Sequence, residues 1–160
     1  MIKTKEDYFP PIFIRSDIMK DILVAYVDGS FTTKNPTKYG CGIILIEPNG
    51  NEIEFSYAND NVEAVKLRNV AGELSASMKA MIEAIGMGYE ELIIYHDYTG
   101  VSAWITGEWR CKNDITKVYK NFYEKSVKSK LEVHFVKVKG HSGDEYNERV
   151  DKLAKKSLES

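Results

Sequence analysis

Cysteine is nearly absent from this 160-residue chain: Cys41 and Cys111 stand far apart, and neither belongs to a CxxC pair. That argues against a disulfide framework or a thiolate zinc site. Both read as free thiols in a reducing compartment, so a cytoplasmic location is expected. Histidine occurs only three times and never in a cluster. No apolar run approaches the roughly 20 residues that span a bilayer, so no membrane partner is expected. The first twenty residues lack the basic-then-apolar order of a secretion signal. Repeats and low-complexity tracts are missing too. Strong charge of one sign is also lacking, since the net charge is -2.

What is present suits one soluble domain with a core of its own, at 43% apolar and 29% charged residues. Residues 1–20, with a Pro-Pro pair and no sustained period, read as a tail or linker remnant, and residues 21–160 as the domain. Charge is unevenly placed. Residues 105–160 carry 13 Lys plus Arg against 9 Asp plus Glu, which leaves the rest of the chain acidic. Such asymmetry fits a solvated surface, and equally an acidic metal site beside a positive substrate platform.

The apolar, β-branched run "ILVAYVDG" from Ile22 predicts a central strand stopped by Gly29. "TKNPTKYG" reads as a loop, and "CGIILIE" and "PNGNEIEFSYA" as two further strands joined by a Pro-Asn-Gly turn. From Val70, Leu74, Met78, Met81, Ile82 and Ile85 recur at helical spacing, ending at Gly86 and Gly88. "ELIIYHD" is a short buried strand and "GVSAWITGEW" a short helix closed by Gly107. "DITKVYKNFYEKSV" is a helix capped by Asp114, "KLEVHFVKVKG" a strand, and the segment from Glu145 a last helix. The order βββ-α-β-α-α-β-α indicates an α/β fold: a five-stranded mixed sheet, three antiparallel strands then two parallel, with helices on both faces.

Acids fall at the ends of these elements. Asp28 closes the first strand, Asp97 closes "LIIYHD", Glu73 lies in the first turn of the long helix, and Asp151 flanks the packed side of the last one. Parallel strands place their C-terminal ends on a common edge, where Asp28 and Asp97 are expected to meet. An aspartate at a strand end can simply begin a turn, and Glu73 can favour a helix dipole. Yet both aspartates directly follow apolar runs, where burial is unfavourable without a partner, a proton or a cation. Four hard oxygen ligands without a Cys or His cluster point to Mg²⁺, with Mn²⁺ as a substitute. Two such ions about 4 Å apart suit phosphoryl transfer.

Four segments in order, "YVDGS", "GEL", "IIYHD" and "VKGHSGDEYNERVDKLA", carry a resemblance to type 1 ribonuclease H from about Ile22 to Leu158. The chain looks most like the bacterial branch whose members often carry an N-terminal viroplasmin-like hybrid-binding domain, and that domain is expected to be absent here. The resemblance implies a ribonuclease H-like fold and a catalytic domain over residues 21–160. It implies that Asp28, Glu73, Asp97 and Asp151 hold two Mg²⁺ ions with substrate bound. The implied reaction is endonucleolytic cleavage of the RNA strand of an RNA–DNA hybrid, leaving a 5′-phosphate and a 3′-hydroxyl. His141 matches a mobile-loop histidine that assists proton movement or product departure, and Glu148 an acid that aids ion turnover. Gly29, Ser30, Asn69 and Gly72 match backbone contacts that detect 2′-hydroxyls across the minor groove, and Asn35 a substrate-contacting asparagine. Thr99 occupies the position of a phosphate-pocket residue.

Three departures stand out. Only the first of Asn69–Val70 is polar, "YTG" follows Asp97, and a strongly basic handle is replaced by "TGEWRCKNDITKVYKNFYEK" with Lys112, Lys117 and Lys120. A monomer with modest salt-dependent grip is expected. Lys152, Lys155 and Lys156 read as solvated surface. A catalytically silent nucleic-acid-binding module and an integrase- or resolvase-like nuclease are the alternative readings.

Overall fold

A computed structural model describes residues 21–34, 37–139 and 144–159. Five strands form one sheet: β1 (Ile22–Thr32), β2 (Lys38–Ile46), β3 (Glu52–Asn59), β4 (Glu91–His96) and β5 (Glu132–Lys137), in the order β3-β2-β1-β4-β5. β1, β2 and β3 pair antiparallel, and β1, β4 and β5 pair parallel. The expected mixed sheet is therefore present. A turn from Glu47 to Asn51, with Gly50 at φ 90°, closes the β2–β3 hairpin.

Helices cover both faces. α1 (Asn69–Gly86), α2 (Gly100–Thr106) and α3 (Asp114–Phe122) lie with the larger core, which takes Leu23, Ala25 and Val27 from β1. α4 (Glu145–Lys156) lies on the opposite face, where Val150 and Leu153 join Val24, Tyr26 and Ile44. Alternation along β1 sorts its side chains between the two cores. A 3₁₀ turn (Ala64–Leu67) leads into α1, and a π-helical turn (Tyr123–Val127) follows α3. No helix among the described residues is long and apolar enough to cross a membrane.

Several local expectations are corrected. Gly29 does not stop β1, which continues to Thr32, and β2 already begins at Lys38 inside the segment read as a loop. α1 begins at Asn69, so Glu73 lies just beyond its first turn. Ile82 is 51% exposed, because the buried face of α1 is built from small residues, Ala76, Ala80 and Ala84, that let the helix lie close to the sheet. The cap of α3 is Asn113, not Asp114: Asn113 Oδ1 accepts from the Thr116 amide at 2.9 Å, and Thr116 Oγ1 accepts from the Asn113 amide at 3.4 Å.

Candidate active site

β1 pairs with β4 only as far as Tyr26↔Tyr95, whereas its pairing with β2 runs on to Thr32↔Lys38. Beyond Tyr26 the β4 side of β1 is open. Asp28 lies two residues past that last pair, and Asp97 lies two residues past Tyr95, so both acids flank one notch. Asp28 is thus inside a strand and at the end of a parallel pairing at once.

Two glycines bring helices to this notch from opposite faces. A Cβ on Gly29 would fall on the Asn69 carbonyl oxygen and the Glu73 amide nitrogen of α1. A Cβ on Gly42, the register partner of Asp28, would fall on the Val150 carbonyl oxygen and the Ala154 amide of α4. Gly72 similarly packs against the backbone of Gly40 and Gly29. Backbone approach this close explains why no side chain is tolerated at these positions.

The carboxylate oxygens of Asp28, Glu73 and Asp97 lie within 4.8 Å of one another. Asp28 is 6% exposed and Glu73 1% exposed. Burial, followed by the charge of Asp97, pushes the Asp28 carboxyl up to about 7. Burial first, then Asp97 and Asp28, raises Glu73 well above the usual carboxylate range. One hydrogen bond to Asp28 is clear, from the Gly29 amide to Oδ1 at 2.9 Å. Both Glu73 oxygens are buried without a hydrogen-bond partner. Crowded acids of this kind need a proton or a cation, and an all-oxygen donor set fits a hard divalent ion.

Asp151 is not in the tight group of three. It lines a neighbouring cleft of about 140 Å³ together with Asp28, Asp97, Asn147, Glu148 and Lys152, while its Oδ2 lies 2.9 Å from Lys155 Nζ. The lysines are therefore not all ordinary surface: Lys152 borders the cleft and Lys155 is paired with a site acid. Asn147, 5% exposed and one turn before Asp151, was not anticipated; its spacing at i−4 was the available signal.

Of the expected substrate contacts, Ser30 is half-buried on β1, Asn69 opens α1 and is exposed, and Thr99 is the residue before α2. The Thr99 carbonyl accepts from the Ala103 amide at 3.0 Å, but its side chain makes no capping bond. His141 and Asn35 lie outside the described residues.

Several neighbours had no sequence signal. Arg68, directly before α1, has φ 56° and lies over the Phe31 ring at 5.6 Å. His96 is fully buried, and burial lowers its pKa to about 4. The neutral ring therefore donates from Nδ1 to the Tyr98 carbonyl at 2.9 Å, bracketing Asp97. Tyr119, from α3, donates to the Val101 carbonyl of α2 at 2.6 Å and lies 3.0 Å from Ser77 Oγ of α1. Ser77 is one turn beyond Glu73. Tyr98, Trp104 and Trp109 form a ring cluster with centroids 5.4–5.9 Å apart. Trp104 and Trp109 border a cavity with Glu108, Arg110 and Lys112. In a second group of metal-capable side chains, Glu91, Glu132 and His134, the His134 Nε2 lies 3.2 Å from Glu91 and 3.7 Å from Glu132.

The family model described as RNase H matches residues 20–159. A ribonuclease H from Neorickettsia sennetsu is 30% identical over 147 residues, covering 86% of this chain and 93% of the relative. One from Wolbachia pipientis is 27% identical, covering 87% and 97%. Among solved structures, RNase H1 of Halobacterium salinarum superposes with a TM-score of 0.69 at 21% identity, covering 86% of this chain and 97% of that one. LC11-RNase H1, solved in complex with an RNA/DNA hybrid, gives 0.68 at 19% identity, covering 85% and 96%.

Proposed function

The chain belongs to the RNase H family, and from that premise we propose that it cuts the RNA strand of RNA–DNA hybrids at the notch formed by Asp28, Glu73, Asp97 and Asp151. Family membership makes it a nuclease of the hydrolase class. Substrate, ion count and product ends are the steps of this reading. The observation that carries it is Glu73, whose two buried oxygens have no hydrogen-bond partner in a group of three acids within 4.8 Å. That arrangement is costly unless a proton or a cation is held there, and the all-oxygen donor set suits a hard divalent ion.

Asp28, Glu73 and Asp97 would hold one Mg²⁺ ion, and Asp28 with Asp151 a second when substrate is bound. Such ions supply charge neutralisation at the scissile phosphate and lower the pKa of the attacking water. The residues of the chain orient the reaction. His96 and the Gly29 amide fix the Asp97 turn and the Asp28 carboxylate. Water attacks phosphorus, and departure of the 3′-oxygen leaves a 5′-phosphate and a 3′-hydroxyl. Glu148 and Lys152 line the cleft, and their part in this reading is to help ions and product leave. Backbone groups of Ser30 and Asn69, beside the buried Gly29 and Gly72, are the ones from which 2′-hydroxyls would be recognised. Thr99 serves the phosphate pocket, and His141 and Asn35 keep the roles their resemblance gives them.

The test is incubation of matched labelled RNA–DNA, DNA–DNA and RNA–RNA duplexes with Mg²⁺ or Mn²⁺, using wild type and Asp97→Asn. Internal cuts in the RNA of the hybrid alone, lost in the variant, are expected. Cleavage of all duplexes, or an active variant, overturns the reading. Binding without cutting under either ion identifies a silent module.

A further inference from the structure

The last helix carries a cation into the acid site. Lys155 is one turn beyond Asp151 on α4, and its Nζ lies 2.9 Å from Asp151 Oδ2. Asp151 itself has little freedom to relocate. The helix backbone on either side of it, at Val150 and Ala154, rests directly on Gly42, and the Ala154 carbonyl faces Gly40. What remains to Asp151 is its side-chain torsions: the carboxylate lines the cleft beside Asp28 while its Oδ2 is engaged by Lys155.

We propose that Lys155 sets the divalent-ion threshold of this site by holding Asp151 as an internal counter-cation that an incoming ion must displace. The inference rests on the reading of the four acids as a divalent-ion site. The Lys155 ammonium is in direct contact with the Asp151 carboxylate, so this acid is already partnered by a cation. Without an ion, the pair relieves part of the repulsion among the acids. Were Asp151 to hold a divalent ion, the same ammonium would be a like charge competing for that carboxylate. Lys155 is thus a positioning residue acting through Asp151. At 62% exposure its charge is partly screened, so the effect should be graded and sensitive to salt. Removing it should improve ion binding, a direction that damage to the fold does not produce.

The experiment titrates Mn²⁺ into the full chain after chelation and reads the unfolding midpoint, with hybrid cleavage against Mg²⁺ measured in parallel. Lys155→Gln is expected to lower the half-saturating Mn²⁺ concentration about three- to tenfold at low salt. The gain should shrink as ionic strength rises. Lys155→Arg, which keeps the charge, should stay near wild type. Lys156→Gln removes the same charge from a neighbouring position and should move the threshold less than about twofold. An unchanged or higher threshold in Lys155→Gln overturns the proposal, as does an equal shift in Lys156→Gln or the absence of Mn²⁺ stabilisation in any form. The expected Mn²⁺ shifts without hybrid cleavage would leave Lys155 in this role and refute the substrate assignment instead.

Discussion

Gly42 stands directly opposite Asp28 in the β1–β2 ladder, and its missing side chain lets the backbone of α4 reach the sheet at that level. Gly29, the next residue of β1, does the same for α1 on the other face. A sheet normally keeps the groups on its two faces apart. Here β1 has already lost β4 as a neighbour, so Glu73 from one face and Asp151 from the other converge on the notch that holds Asp28.

Gly42→Ala follows directly from this geometry. The new methyl meets helix backbone rather than a pliable side chain, so α4 must shift. Overpacking of this kind costs about 1–3 kcal/mol. The expected outcome is a lower unfolding midpoint together with a smaller Mn²⁺-induced rise, because Asp151 is displaced from Asp28. A thermal melt with and without the ion reads both, and an unchanged ion response would show that Asp151 does not depend on this contact.

Glu73→Gln separates stability from function. The amide keeps the shape of the side chain but removes a buried ionisable acid crowded by Asp28 and Asp97. In chelator the variant should melt above wild type, while losing most ion-induced stabilisation and cleavage. A variant less stable than wild type in chelator would mean that the carboxyl has a favourable partner in the ion-free protein.

The raised Asp28 carboxyl has a definite pH signature. Its folded value of about 7 lies above the ordinary 3.8, so the folded state keeps a proton that the unfolded chain has released. The associated stability is complete below roughly pH 4 and is lost as pH rises through about 7. In chelator, the unfolding midpoint of wild type should fall across that window. Asp28→Asn should flatten the slope without abolishing it, since Glu73 is also raised. Equal slopes in the two proteins would contradict the assignment.

Asp28 and Asp97 were legible because each follows an apolar strand run, and the strands because three leading strands followed by helix-joined strands admit few sheets. Gly29 was misread as a strand stop because a glycine demanded by a crossing helix looks the same in sequence as one that ends a strand. Asn113 and Asp114 are both good caps, and only backbone geometry chooses between them. The lysines of α4 differ in what lies beside them, not in type, so Lys152 and Lys155 could not be told from Lys156. Tyr119 acts through a hydrogen bond to a main-chain carbonyl of another helix and His96 through one to the carbonyl two residues on, and residue identity offers no signal for either.

Trp109 is 39% exposed beside Arg110 and Lys112, at one wall of the cavity next to Tyr98. An aromatic face flanked by cations suits stacking and phosphate contact with a nucleic-acid strand. Trp109→Ala should raise KM for a hybrid severalfold with little change in kcat, and Trp109→Phe should fall between. A loss confined to kcat would place Trp109 in the positioning of the acids instead.

Tyr119→Phe tests whether the acids depend on a strut from α3. The phenol is fully buried, donates to the Val101 carbonyl at 2.6 Å and meets Ser77 Oγ at 3.0 Å, tying α1 to the start of α2. Glu73 rides on the first of these helices, and Asp97 lies just ahead of the second. Phe keeps the ring packing but leaves a buried carbonyl and hydroxyl without this partner, a penalty of about 1–3 kcal/mol. A purely structural role predicts only that loss of stability. If the strut also sets the Glu73–Asp97 separation, the ion concentration for half-maximal cleavage should rise severalfold, with KM for the hybrid unchanged and activity largely restored at high Mg²⁺. A lower unfolding midpoint with an unaltered Mg²⁺ dependence would confine Tyr119 to packing.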